Sequence, residues 1–205
     1  MVEYIIFSEL IKREKVSLVV SLLNQVLIET IQYKSDYPDY EDWFWEKQVR
    51  GLFDGYRDII VAIKNGKVIG ISNIKNTACE KKICTLTVDK KYRMKSVGSK
   101  LIDISIAILG TSTPVITMSL EKLSDFSGII KKYNWEITGV KKELYKEDVY
   151  EVIINDYFKD PLELEEKILI RNMNFKIHKI IYMLKKWFKK VRQIGDNNYG
   201  NSYLG

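Results

Sequence analysis

Two β-rich runs meet at Asn65-Gly66, and this junction constrains the fold more than any other feature of the chain. An Asn-Gly pair supplies the two left-handed residues of a tight hairpin turn. Ahead of it, Ile59, Ile60, Val61, Ala62 and Ile63 fill a short run from Asp58 to Lys64, and Lys67 to Lys75 is the return strand. Glu80-Lys81-Lys82 marks a second turn. From Ile83 to Asp89 the residues alternate, Ile83, Thr85 and Thr87 against Cys84, Leu86 and Val88, as in a third strand. The middle of the chain is therefore an antiparallel meander.

Helical spacing of Val16, Val19, Val20, Leu23, Leu27 and Ile31 predicts a helix from Leu10 to Tyr33. An acidic and aromatic stretch, Asp36 to Glu46, follows. Its Pro38 and carboxylates suit a loop and then a helix that runs to about Leu52 and stops near Gly55. Beyond the meander, Val97, Leu101, Ile104 and Ile108 share one face of a helix from Ser96 to Leu109, closed by Gly110 to Pro114. A strand from Val115 to Leu120, a helix from Asp125 to Lys132 and strands at Glu136 to Val140 and Val149 to Ile154 complete the series. The strand–helix–strand passage from Ile83 to Leu120 requires a parallel crossover. The fold class is thus α/β, a mixed central sheet flanked by helices. Asp160-Pro161 closes a body of residues 1–160.

The length of 205 residues fits one domain with an appendage. Two cysteines and three prolines exclude a disulfide scaffold and a Pro-rich linker. The one histidine, His178, excludes a His-rich metal centre and any scheme with two imidazoles, so no metal is expected. No run approaches the roughly 18 uncharged apolar residues of a spanning helix. The start, Met1-Val2-Glu3-Tyr4, lacks the features of a secretory signal, and a cytoplasmic location is expected.

The net charge of +6 is confined to one end. Glu166 to Gly205 holds nine of the 33 Lys and Arg and two of the 27 acids, leaving 24 basic and 25 acidic residues before it. Within that end, Ile170, Ile177, Leu184 and Val191 recur every seven residues, with Met173, Ile180, Trp187 and Ile194 offset by three. This predicts a basic amphipathic helix over residues 161–194, followed by a disordered tail, 195–205. The stripe requires a partner: the body, a second copy in a homodimer, an anionic membrane surface, or RNA.

The chemistry concentrates between Leu86 and Leu101. There a strand ends (Leu86-Thr87-Val88), a basic loop follows (Lys90, Lys91, Arg93, Lys95), and a helix opens on small residues (Ser96, Gly98, Ser99). A helix N-terminus offers unpaired N–H groups and the positive end of its dipole, which suits phosphate. The run Arg93-Met94-Lys95-Ser96-Val97-Gly98 resembles the cofactor motif of the GNAT acetyltransferase superfamily, as do the preceding Leu86-x-Val88 and Tyr92-Arg93. The order of elements resembles that family from about Val2 to Asp156. The resemblance implies acetyl-CoA as cosubstrate, with its pyrophosphate on the N–H groups of Lys95 to Ser99 and its pantetheine along Leu86, Thr87 and Val88. It implies transfer of acetyl to a primary amine, on a small molecule or a macromolecule, by direct attack in a ternary complex. Ser96 stands where the family has its first glycine. If the loop needs a left-handed residue there, Ser96→Gly should tighten cofactor binding.

The tyrosine that the family often places after the second crossover strand is missing: Ile130 stands at its position and Tyr133 lies three residues on. Glu121, beside Ser119 at the C-terminal end of a sheet strand, is the candidate base or amine-orienting carboxylate. Cys84 reads as a small core residue, with an acyl-cysteine as the sharper alternative. Asp42, Trp43 and Trp45, within the acidic and aromatic stretch, are candidates for gripping a cationic amine by ion pairing and cation–π contact. Trp43 and Trp45 cannot both face inward on one helix. The missing tyrosine and Ser96 also support a different reading, a GNAT-like protein that binds CoA or acts as an adaptor through its basic helix without catalysis.

Overall fold

The computed structural model describes residues 1–35 and 37–156. The predicted helix over 161–194, the tail 195–205, the Asp160-Pro161 boundary and Asp36 lie outside the described residues.

Among the described residues, seven strands form two sheets. The first runs in the order β1 (Glu3–Ile6), β2 (Arg57–Lys64), β3 (Lys67–Asn76), β4 (Lys81–Val88), antiparallel throughout. The second places β7 (Tyr150–Ile154) between β5 (Ile116–Ser119) and β6 (Ile137–Lys142). The meander forms as expected, and its hairpin turn has Asn65 at φ 52° and Gly66 at φ 73°. The parallel crossover is also present, in a single bridge between Lys82 and Val115. There the Ile83 N–H donates to the Val115 carbonyl at 3.0 Å and the Val115 N–H to that of Lys81 at 2.9 Å. Past this bridge β4 and β5 share no ladder, so the two sheets part along them.

The run Ile59 to Ala62 is continuously apolar because β2 is covered on both faces. Ile60 and Ala62 enter a core with Val97, Leu101 and Ile102 of α5 (Val97–Leu109), which joins β4 to β5. Ile59 and Val61 enter a second core with Phe7 of α1 (Phe7–Arg13) and Val19 and Leu23 of α2 (Val16–Thr30). Helix α5 is seated on β3 by a buried 2.8 Å hydrogen bond between the Ser72 and Ser105 hydroxyls. Asp58 ties the other face together. Its Oδ1 accepts from the N–H groups of Ser8 at 3.0 Å and Ile59 at 2.8 Å.

Four expectations are corrected. Strand β1 was not foreseen, since four residues are too few to show a period; it pairs with β2, Ile5 against Val61. The predicted helix from Leu10 to Tyr33 breaks at Lys15, whose extended backbone (φ −65°, ψ 143°) turns α1 into α2, and Ile31–Ser35 tightens to a 3₁₀ helix. The helix expected after Pro38 is instead α3 (Tyr40–Trp43), a π-helical Phe44–Val49 and α4 (Arg50–Phe53). The wide turn buries Gln48, whose amide donates to the Asp58 carbonyl at 2.8 Å. Finally, Val16–Ser35 is long and apolar enough to cross a membrane by length and composition. Here Val19, Leu22, Leu23 and Val26 are buried against the sheet, and Val16, Val20 and Ile28 are exposed.

After β5 the chain forms a 3₁₀ turn (Leu120–Lys122) and then α6 (Leu123–Lys132). Its apolar side, with Leu123 and Ile130, closes the α5 core.

Candidate active site

Where β4 and β5 part, a cleft of about 510 Å³ opens. Ile83, Cys84, Thr85 and Leu86 of β4 and Ile116, Thr117 and Met118 of β5 line it. A β-bulge at Asn73/Ile74 against Thr85/Ile83 re-aims β4 at this point. Tyr33, Tyr37, Tyr40 and Trp43 form an aromatic wall, with Tyr145 opposite β4 from the β6–β7 connection.

Three cations are stacked on this aromatic lining: Arg57 lies 5.6 Å from the Trp43 ring centroid, Lys122 5.0 Å from Tyr33 and Lys82 5.8 Å from Tyr145. The Arg57 Nη1 donates to Gln48 Oε1 at 3.0 Å and reaches the Cys84 Sγ at 3.5 Å. The Lys82 Nζ donates to the Tyr145 hydroxyl at 3.2 Å, and that hydroxyl lies 3.3 Å from Thr117 Oγ1. Burial pushes the Cys84 thiol up, offset in part by Arg57 and Lys82, so it is protonated at neutral pH. Burial lowers the Lys82 pKa, but Tyr145, Cys84 and Glu80 together raise it more, and the ammonium ends above the ordinary lysine range. A fourth lining cation, Lys75, is neutralised by Glu80 at 2.6 Å.

The far end of β4 leads to the basic loop. Asp89 caps a short 3₁₀ turn by accepting from the Lys91 N–H at 2.9 Å. Arg93 folds back so that Nε donates to the Val88 carbonyl at 3.2 Å, and its Nη1 lies 3.7 Å from Asp125 Oδ2. Met94 and Ser96 are both left-handed, at φ 58° and 63°. No side chain of the described residues caps α5. Its first bond of the α-helical pattern runs from the Lys100 N–H to the Ser96 carbonyl at 2.9 Å. The N–H groups of Val97, Gly98 and Ser99 thus have no intrahelical acceptor.

Sequence reading and geometry agree in part. Leu86 lines the cleft, while Thr87, Val88 and Arg93 to Ser99 continue from it as one run. Val97 itself is buried in the core. Gly98 has no left-handed backbone, and a Cβ there would meet Val88 Cγ2 at 3.5 Å, an ordinary contact. Trp43 faces the cleft; Trp45 does not, packing edge-on against Phe44 at 5.3 Å, and Asp42 is exposed outside it. The structure does not bring Glu121 or Ser119 to the cleft. Glu121 is exposed on the 3₁₀ turn, and its neighbour Lys122 faces inward instead. Ser119 is paired in register with Glu151. Tyr133 is directed away: its hydroxyl lies 2.7 Å from Asp103 Oδ1 and 3.0 Å from the Ser99 carbonyl. Arg57, Lys82 and Tyr145 were not foreseen. Extending the β4 alternation back two residues would have placed Lys82 on the Cys84 face, whereas nothing in the sequence marks Tyr145.

A mixed sheet that parts between two parallel strands, with a helix starting beyond the first of them, is an α/β architecture with its cleft at the parting. The chain has the GNAT acetyltransferase fold. It is similar to a Desulfovibrio desulfuricans protein assigned to that family, with TM-score 0.55 and 14% identity over 75% of this chain and 97% of that one. An aminoglycoside 6′-N-acetyltransferase complexed with coenzyme A gives TM-score 0.50 and 12% identity, over 80% and 99% of the two chains. Nourseothricin acetyltransferase aligns over 49% of this chain and 65% of its own length, with 13% identity and TM-score 0.44. No family model and no curated protein matches the sequence.

Proposed function

We propose that this chain is an acetyl-CoA-dependent N-acetyltransferase acting on a primary amine. The observation that carries the reading is the continuity of three parts along β4: the cleft at Cys84 to Leu86, the unpaired strand edge beyond it, and the uncapped start of α5. The GNAT fold and the neighbour complexed with coenzyme A support it.

The residues fit the cosubstrate. Three consecutive N–H groups at Val97, Gly98 and Ser99, with Arg93 and Lys95 beside them, suit a pyrophosphate. The edge of Leu86 to Val88 offers backbone groups to the amides of the pantetheine arm. Bound acetyl-CoA supplies an activated acyl carbonyl. The remaining tasks fall to the chain: placing the amine, excluding water and moving its proton. The aromatic wall of Tyr33, Tyr37, Tyr40 and Trp43 restricts water at the cleft. Of the carboxylates of the described residues, Glu80 and Asp39 line the cleft and Glu121 does not; Glu80 is bound to Lys75, so Asp39 replaces Glu121 as the candidate acceptor of the amine proton. Tyr145, held by Lys82 and Thr117, replaces the missing family tyrosine as the candidate hydroxyl at the leaving thiolate.

Isothermal titration of acetyl-CoA into the intact chain and into Arg93→Ala tests the cofactor part. Micromolar binding that weakens on substitution is the expected result. A panel of amines with CoA release as readout tests transfer. Binding without release by any amine would favour the non-catalytic reading, which Tyr133's attachment to α5 already motivates.

A further inference from the structure

We propose that the cleft selects an acceptor that carries an oxyanion, a carboxylate or a phosphate, and seats it on Arg57 and Lys82. The inference rests on reading the cleft as the acceptor site and adds the substrate class.

Both cations line the cleft and flank Cys84, whose thiol feels both. Neither has a carboxylate within 4.0 Å among the described residues, unlike Lys75, which is paired with Glu80. The protein partners of Arg57 are neutral: the Gln48 amide, the Cys84 sulfur and the Trp43 and Tyr56 rings. Its Nε is buried without a hydrogen-bond partner among the described residues. Lys82 donates to the Tyr145 hydroxyl and lies over its ring, and the Glu80 carboxylate acts on it only from beyond ion-pair distance. A buried guanidinium N–H with no acceptor and no carboxylate in contact is unfavourable, and Arg57 carries that penalty. An anionic ligand group removes it and gains charge-assisted hydrogen bonds from both cations. The Trp43 and Tyr145 rings, which line the same cleft, hold the two head groups by cation–π contact.

Among the described residues, the same census argues against a polycationic acceptor. The carboxylates expected to attract one, Glu41, Asp42 and Glu46, are exposed and do not line the cleft. Asp39, which does, is exposed, and Glu80 is engaged with Lys75.

The test compares three amines of similar reach: β-alanine with a carboxylate, O-phosphoethanolamine with a phosphate, and neutral ethanolamine. CoA release is measured with the full chain, and O-phosphoethanolamine binding is measured separately by calorimetry in the presence of CoA. At least one anionic amine should exceed ethanolamine in kcat/KM by about tenfold or more, the scale of one charge-assisted contact. Which of the two leads identifies the anion. In Lys82→Met the ratio should collapse toward one, and in Lys82→Glu it should shift toward 1,3-diaminopropane. Arg57→Gln provides an independent variant should the Lys82 substitutions fail to fold. Equal use of all three amines would overturn the anion subsite and leave acetyl transfer standing. No turnover, but O-phosphoethanolamine binding that weakens in Lys82→Met, would support the subsite and sink transfer. Neither turnover nor binding would overturn both.

Discussion

Gly70 on β3 lies so close beneath α5 that a Cβ there would stand 3.0 Å from Leu101 Cδ1 and 3.2 Å from Val97 Cγ1. The helix whose N-terminus faces the basic loop is therefore set at its height by a strand residue with no side chain. On its other side the same Cβ would meet the Thr87 carbonyl at 3.3 Å, so it has no room to shift away from α5. Gly70→Ala should lower stability by about 1–3 kcal/mol, the range for overpacking, and weaken acetyl-CoA binding as the first turn of α5 is lifted. Gly98→Ala, in the motif itself, should be neutral or stabilising by up to about 1 kcal/mol. Urea unfolding and calorimetric titration of both variants check the contrast; equal losses would mean that Gly98 sets the approach of the backbone as much as Gly70 does.

Ser96 already occupies the left-handed region, at φ 63° and ψ 2°. This meets the condition that the sequence reading set for Ser96→Gly and relocates its effect. The strain is present in the fold without a cosubstrate, so relieving it acts on folding more than on binding. Ser96→Gly should stabilise the chain by about 1 kcal/mol, raising Tm by roughly 2–4 °C for a chain of this size. The acetyl-CoA affinity should change less than the stability does. Differential scanning calorimetry beside titration separates the two. An affinity gain with no change in Tm would show that the loop becomes left-handed only on binding.

The Tyr133 hydroxyl is held by Asp103, and burial together with that carboxylate pushes its pKa far above the ordinary phenol. A phenol so placed neither titrates in the working range nor faces the cleft. Tyr133→Phe should therefore cost about 1 kcal/mol for a lost hydrogen bond and leave the pH profile of CoA release unmoved. Tyr145→Phe should alter that profile, because the hydroxyl removed stands on Lys82 and Thr117 in the cleft. The reverse outcome would return the proton-transfer role to Tyr133.

The hairpin at Asn65-Gly66, the crossover and the α5 motif were readable because each depends on a local signal: a turn dipeptide, a period, or a glycine near a helix start. The cleft was less so. Trp43 was a candidate on composition, but Asp42, Trp45 and Glu121 were candidates on the same grounds, and no local rule distinguishes a carboxylate on the cleft from one on the next residue facing solvent. The 3₁₀ turn at Leu120–Lys122 decides in favour of Lys122 over Glu121. The π-helical stretch likewise decides that Phe44 and Gln48 are buried while Trp45 is left beside them. Arg57, Lys82 and Tyr145 come from three separate segments, and only the closed topology assembles them.

Asp58 carries a prediction about pH. Its carboxylate is buried between α1 and β2, and burial raises its pKa despite the N–H groups of Ser8 and Ile59. Nearby Glu9 raises it further. The folded value thus lies above the unfolded one, about 3.9. Between the two, the native state binds more protons than the unfolded chain, so stability falls as pH rises through that window and the loss is complete above the folded value. Asp58→Asn keeps the Oδ1 acceptor for both N–H groups and removes the charge. Measured by urea unfolding from about pH 4 to pH 7, the variant should gain stability relative to the parent as pH rises, with the difference levelling above the folded pKa. A constant difference across that range would mean that the carboxylate is as well solvated in the fold as in the unfolded chain. Glu9→Gln should shrink the pH-dependent part without abolishing it, since desolvation is the larger cause.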